Sequence, residues 1–426
     1  MSQSQNRSNE VRYQSIDTVR GFAVLGILLM NIVGMGLPSF SYLDPTYYGG
    51  SHGADLWTWA VNNVLTDGKM RGLFTILFGA STVLIAQRAE GGRPSALQTH
   101  YRRMFWLFVI GMIHAYLFWW GDILVCYALS GLFLFPVRKL DPKLLIALGT
   151  LILVILFAYN AIDSERLYAL RAAASAPGAS DAAIKAWQDA SQTVVLPPEM
   201  KAQELAGFGG GFMDALQARA RMALFLQLML NPTDYMPEAI GNMLIGMGLF
   251  RLGYFTLGWS TRAYLALIAF GYVVAVPITA WLAYLIWKSN FDPLVIHQVG
   301  GWQQATRPFI ALAHGSVILL IVRAGAIRWL TERLSAAGRM AFSNYLLTSI
   351  ITTFVFCGFG FGLYGKLSRF ELLYVVAGVW AFILIWSAPW LARFHYGPFE
   401  WVWRSLVRWE TQPFVKRRPN AASATA

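Results

Sequence analysis

The chain has 426 residues, of which 56% are hydrophobic and only 13% charged. Soluble domains carry about 25% charged residues, so a soluble multidomain enzyme is excluded. The 17 Trp and 28 Phe exclude a disordered chain, and the 2 Cys exclude a disulfide scaffold.

A bilayer core needs about 20 predominantly apolar residues per helix. Such runs fall at 16–36, 69–87, 102–120, 122–137, 143–162, 234–252, 262–287, 307–324, 339–358 and 370–391. The fold expected is all-α: a polytopic integral membrane protein with about ten transmembrane helices, or about eleven if the amphipathic stretch 216–230 adds one. The first run carries Asp17 and Arg20 at its start and no small-residue cleavage site, so it is not a cleaved signal peptide. Residues 163–215 are Ala-rich and polar, with Pro197-Pro198 and a glycine run at 207–211. They read as amphipathic helices on the outer membrane face, placed to act as a lid. The expected organisation is an N-terminal bundle (1–162), an extracytoplasmic amphipathic segment (163–232), a C-terminal transmembrane domain (233–409) and a basic tail (410–426).

Short loops rich in Lys and Arg stay in the cytoplasm. With the N-terminus inside, most of the 34 basic residues fall on the inner side. They include Arg7, Arg12, Arg20, Arg88, Arg93, Arg102, Arg103, Arg251, Arg262, Arg323, Arg328, Arg333, Arg339 and the tail to Arg418. Both termini are therefore expected in the cytoplasm. The net charge of +12 becomes a topology signal and needs no nucleic-acid partner. Cys126 and Cys357 fall inside spans and read as small apolar residues.

An ionisable group inside a span costs a few kcal/mol and marks a functional candidate. Arg20 and Asn31 in the first span, and Arg103 and His114 in the third, share one offset. At 100° per residue each pair lies on one helix face, ~16 Å apart in rise. Glu238, Asn242, His314, Asp122, Lys69 and Arg71 lie at the outer depth. Asp17, Arg20, Arg102, Arg103, Arg339 and Asn344 lie at the inner depth. His52 sits in the outer loop Gly50-Ser51-His52-Gly53. A lone Asn or His in a span is often a helix–helix hydrogen-bonding residue, and that alternative stands for Asn31, Asn242, His114 and His314. Phosphate-loop, H-E-x-x-H and C-x-x-C motifs are missing, and no metal site is expected.

The stretch Ile16-Asp17-Thr18-Val19-Arg20-Gly21-Phe22 with Asn31 resembles the opening of YeiB-like bacterial membrane proteins. So do Gly68-Lys69-Met70-Arg71-Gly72-Leu73-Phe74, Tyr101-Arg102-Arg103 leading to Gly111 and His114, and Gly121-Asp122-Ile123-Leu124. Gly338-Arg339-Met340-Ala341-Phe342-Ser343-Asn344-Tyr345 and Tyr396-Gly397-Pro398-Phe399-Glu400-Trp401 look like the domain of unknown function 418. The resemblance spans nearly the whole chain outside 163–215 and the tail.

The N-terminal half is also similar to transmembrane acyltransferases of the heparan-α-glucosaminide N-acetyltransferase type. This resemblance implies transfer of an acetyl or other acyl group from cytoplasmic acyl-CoA, across the inner membrane, to a hydroxyl or amine acceptor. Arg20, Arg103, Arg339 and Asn344 would hold the CoA end, and the pantetheine arm is roughly as long as the ~16 Å stripe. His114 would act as base, Asp122 would orient it, and Asn31 would donate to the oxyanion. The histidine motif of the acetyltransferases has no plain copy here, only His52 before Asp55, so His114 and His52 both stand as the base. Expected partners are membrane lipids, a small-molecule or glycan acceptor, and a second copy of the chain. A small-molecule transporter of the inner membrane is the alternative.

Overall fold

A computed structural model of the chain describes residues 13–92, 94–191, 194–195 and 198–416. Arg7, Arg12, Arg93, Pro197 and the basic tail beyond Lys416 lie outside them. The chain runs through α1 (Gln14–Gly36), α2 (Gly53–Val61), α3 (Lys69–Arg88), α4 (Ala96–Leu117), α5 (Leu124–Gly131) and α6 (Leu134–Val137). It continues through α7 (Pro142–Ala174), α8 (Asp181–Ser191), α9 (Pro198–Gly209), α10 (Phe212–Phe225), α11 (Met236–Arg251) and α12 (Thr261–Ala269). It ends with α13 (Val276–Lys288), α14 (Pro293–Ala324), α15 (Arg328–Arg339), α16 (Ala341–Phe356), α17 (Leu372–Arg393) and α18 (Pro398–Arg408). Among the described residues the only β pairing is one isolated bridge, Phe394 to Val415.

Among the described residues six helices are long and apolar enough to cross a membrane, where the sequence suggests about ten. They are Gln14–Gly36, Gly53–Arg88, Pro142–Ala174, Thr261–Lys288, Pro293–Ala324 and Leu372–Arg393. The run 122–137 breaks into α5 and α6, because Gly131 and Pro136 interrupt it. The run 339–358 becomes the shorter α16. Residues 216–230 belong to one helical course from Phe212 to Arg251, and α7 continues well past residue 162.

Local chemistry sets several ends. Asp141 and Asp292 cap α7 and α14, each followed by a proline in the first turn. Ser95 and Gln98 close a capping box at the start of α4. Pro232 lies within a π-helical stretch, Leu226–Tyr235, and Pro277 follows another, Phe270–Ala275. A proline lacks its N–H and crowds the carbonyl four residues back, and the wider π turns absorb that strain.

Small residues bring the helices together. A Cβ on Gly338 would run into the Asp17 carbonyl oxygen, and one on Gly246 into that of Ile76. Thus α1 crosses α15, and α3 crosses α11, at backbone contact, the packing that membrane helices favour. On α7 the residues Leu151, Val154, Ile155, Tyr159 and Ile162 form an exposed apolar stripe, with Ile162 71% exposed. Such a stripe suits lipid rather than water.

Candidate functional site: two buried polar centres

At the end of α4, His114 Nδ1 lies 2.7 Å from Asp122 Oδ1, and both side chains are 1% exposed. The second Asp122 oxygen, Oδ2, accepts from Val125 N at 2.8 Å and so caps the first turn of α5. Gly111, one turn before His114, lets α5 approach α4, because a Cβ there would meet Val125 N at 2.8 Å. With a carboxylate on Nδ1, the proton sits on Nδ1 and the Nε2 lone pair is available. Nε2 is buried and has no hydrogen-bond partner among the described residues. The Tyr345 ring of α16 packs 5.1 Å away, centroid to centroid, and its hydroxyl accepts from Ile123 N at 3.4 Å.

The second centre joins α3, α11 and α14. Arg71 Nη2 lies 2.7 Å from Glu238 Oε2, and Arg307 Nη1 lies 3.9 Å from Glu238 Oε1. The Arg71 guanidinium also sits 4.6 Å above the Tyr235 ring. Lys69, fully buried, donates to Asn63 O at 2.5 Å. Tyr42 donates to Asp67, and Gln304 donates to Asp234 at 2.6 Å. Asn242 is 2% exposed, one turn beyond Glu238 on α11, and its Oδ1 lacks a partner among the described residues. The two centres meet at α5: Tyr127 contacts Thr75 and Arg71 O, and Cys126 lies within electrostatic reach of Arg71, Glu238 and Asp122.

The remaining candidates separate. His314 has both nitrogens engaged, by the Tyr272 hydroxyl at 2.6 Å and Leu65 O at 2.9 Å, so it has no free lone pair. His52 is exposed in its loop beside Ser51. Asn31 is half-buried, one turn before Gly34, whose Cβ would meet the Trp119 ring at 3.0 Å. At the other end of the stripe, Arg20 pairs with Asp17 at 3.0 Å and bonds Ser81 at 3.0 Å. Arg103 lies 4.8 Å over the Trp403 ring, within electrostatic reach of Arg20 and Arg404. The two stripes therefore start together at Arg20 and Arg103, each on an unbroken helix. Asn344 is tied instead to Ala337 O, Ser387 and Trp386. Arg339 is half-buried at the end of α15. Sequence reasoning missed Tyr42, Asp67, Asp234, Arg307 and Tyr345. Arg307 stood at the edge of an apolar run, which hid it as a boundary residue.

Among the described residues the structure is helical, six helices are able to cross a membrane and two polar centres lie buried between helices, which is the architecture of a polytopic membrane protein. The chain belongs to the YeiB family. It is 30% identical over 421 residues to the "Uncharacterized protein YeiB" of Escherichia coli (strain K12), covering 95% of this chain and 99% of that one. It is 29% identical to the "Uncharacterized protein YxaH" of Bacillus subtilis (strain 168), covering 98% and 99%. Residues 249–410 match the family described as "Protein of unknown function (DUF418)". No solved structure matches.

Proposed function

We propose that this chain is an acyltransferase of the cytoplasmic membrane that moves an acyl group from cytoplasmic acyl-CoA to an extracytoplasmic hydroxyl or amine. The observation that carries this reading is the His114–Asp122 dyad with its unpartnered Nε2. A base needs an available lone pair and an orienting acceptor behind it, and of the three histidines weighed only His114 has both. His114 Nε2 takes the acceptor proton as the acceptor oxygen or nitrogen bonds to the thioester carbonyl carbon. The C–S bond then breaks, and the departing thiolate recovers the proton from the imidazolium. Asp122 holds Nδ1–H throughout and stabilises the imidazolium charge. Arg20 and Arg103 supply the positive charge that suits CoA phosphates, ~16 Å along α1 and α4 from the dyad depth. This orientation puts the Arg20 end and both termini in the cytoplasm, by the positive-inside rule.

In purified full-length protein, release of CoA thiol from acetyl-CoA tests the reading. His114→Gln is expected to lower turnover by about 10²-fold or more. Undiminished turnover in that variant would sink the base assignment. The charged centre at Arg71, Glu238 and Arg307 favours a second reading, a small-molecule transporter, since intramembrane ionisable groups often line translocation paths. Substrate counterflow in liposomes without chemical conversion would support that reading over the first.

A further inference from the structure

The turn that follows α4 carries a second group of polar atoms that neither reading uses. Arg219, on α10, is 1% exposed. No carboxylate among the described residues lies within ion-pair distance of it. Its Nη1 donates to Leu117 O at 2.7 Å and Tyr116 O at 3.4 Å, the last carbonyls of α4. Among the described residues Nη2 reaches only the Cys357 sulfur, at 3.7 Å, and the Phe208 ring lies 6.0 Å off, at the limit of a useful cation–π contact. A helix C-terminus offers only a partial negative charge, so the buried guanidinium has no full counter-charge among the described residues.

Beside Arg219 is a cavity of about 20 Å³, lined also by Trp119, Trp120, Thr353, Cys357 and Tyr364. That is room for one water-sized occupant. The indole N–H groups of Trp119 and Trp120 are both buried and lack acceptors among the described residues. Gly34 of α1 makes the space for these rings. Glu204, the carboxylate that Tyr364 reaches at 3.4 Å, is already engaged by Ser39 N at 2.6 Å. The residues that line the cavity thus include a buried cation and two indoles whose N–H groups lack acceptors among the described residues, and no carboxylate.

We propose that Arg219, Trp119 and Trp120 form a binding site for one small anion of halide size. The anion would supply the charge that α4 leaves uncompensated and accept from both indoles. It would tie α10 to the turn after α4, and so to the helix that holds His114.

The test is binding of ³⁶Cl⁻ to the detergent-purified full chain in a gluconate background. Saturable binding of about one chloride per chain is expected. Bromide should displace it and sulfate, too large for the cavity, should not. Arg219→Gln and Trp119→Phe should each weaken it at least about tenfold, the loss of a hydrogen bond to a charged partner. Trp119→Phe keeps an aromatic ring in place and decides the matter if Arg219→Gln does not fold. Absence of saturable chloride binding, equal affinity in Trp119→Phe, or displacement by sulfate as effective as by bromide would each overturn the proposal.

Discussion

Arg71 Nη2 and Glu238 Oε2 meet at 2.7 Å between α3 and α11, with side-chain exposures of 17% and 7%. Both helices are brought to backbone contact at Gly79 and Gly246, so the pair has little freedom to separate. A buried pair contributes modestly as a unit, but removing one partner strands the other charge at about 3–5 kcal/mol. Glu238→Gln is therefore expected to lower stability strongly, because Arg71 and Arg307 both lose their carboxylate. The double change Arg71→Met with Glu238→Met should cost less than the sum of the two single changes, because Arg71 is no longer stranded, although Arg307 still loses its carboxylate. Thermal unfolding in detergent measures this, and additive costs would contradict it.

The same centre shows what could be read from the chain beforehand. Lys69, Arg71, Glu238 and Asn242 were legible because a charge or amide inside an apolar run is conspicuous. Asp67 and Tyr42 were not, since both lie outside the apolar runs: Asp67 just precedes α3, and only tertiary packing brings Tyr42 to it. The dyad was legible because a short hairpin joins α4 to α5, keeping Asp122 close to His114 in any packing. Asn344 shows the reverse. Its place beside inner arginines was a depth argument, and its amide turns instead toward α17, a matter of helix rotation that depth does not fix. The π turns at 226–235 and 270–275 leave no hydropathy signature, although the nearby prolines explain them afterwards.

The crossing of α1 and α15 predicts sensitivity at its two glycines. A methyl on Gly338 would strike the Asp17 carbonyl oxygen, and one on Gly21 would strike that of Leu334. Both obstacles are backbone, so relief requires the helices to part. Gly338→Ala and Gly21→Ala should each cost about 1–3 kcal/mol or more. Because Asp17 and Arg20 sit at this crossing, the same variants should also weaken any ligand that uses Arg20. A melting temperature unchanged from wild type would show that the crossing is looser than described.

Glu400 on α18 predicts a pH dependence. Its carboxyl accepts from Phe342 N at 2.8 Å, from Ser343 N at 3.0 Å and from the Ser343 hydroxyl, so it caps the start of α16. Burial pushes its pKa above the usual carboxyl value, and the hydrogen bonds from Ser343 only partly offset that. The folded state therefore holds this proton more tightly than the unfolded state. The resulting stabilisation is complete below the unfolded pKa of ~4.3 and is lost as pH rises through the raised folded value. Stability measured upward from pH 4 should fall across that window. Glu400→Gln should remove this part of the slope, and an identical slope in the variant would assign the effect elsewhere.

Asp122 offers the sharpest separation between holding the fold and assisting chemistry. One of its oxygens caps α5 through Val125 N and the other holds His114 Nδ1. In Asp122→Asn the amide oxygen can keep only one of these bonds. If it stays on Val125 N, the amide nitrogen faces His114 and presents a donor to Nδ1. The imidazole must then carry its proton on Nε2, and the lone pair that a base requires is lost. The variant should therefore fold and insert normally, while CoA-thiol release falls by about 10²- to 10⁴-fold. The loss should appear in kcat, with KM for acetyl-CoA little changed, because Arg20 and Arg103 at the far end of the stripe are untouched. A rise in KM with kcat preserved would mean that the dyad serves binding or packing, and that the proton moves elsewhere.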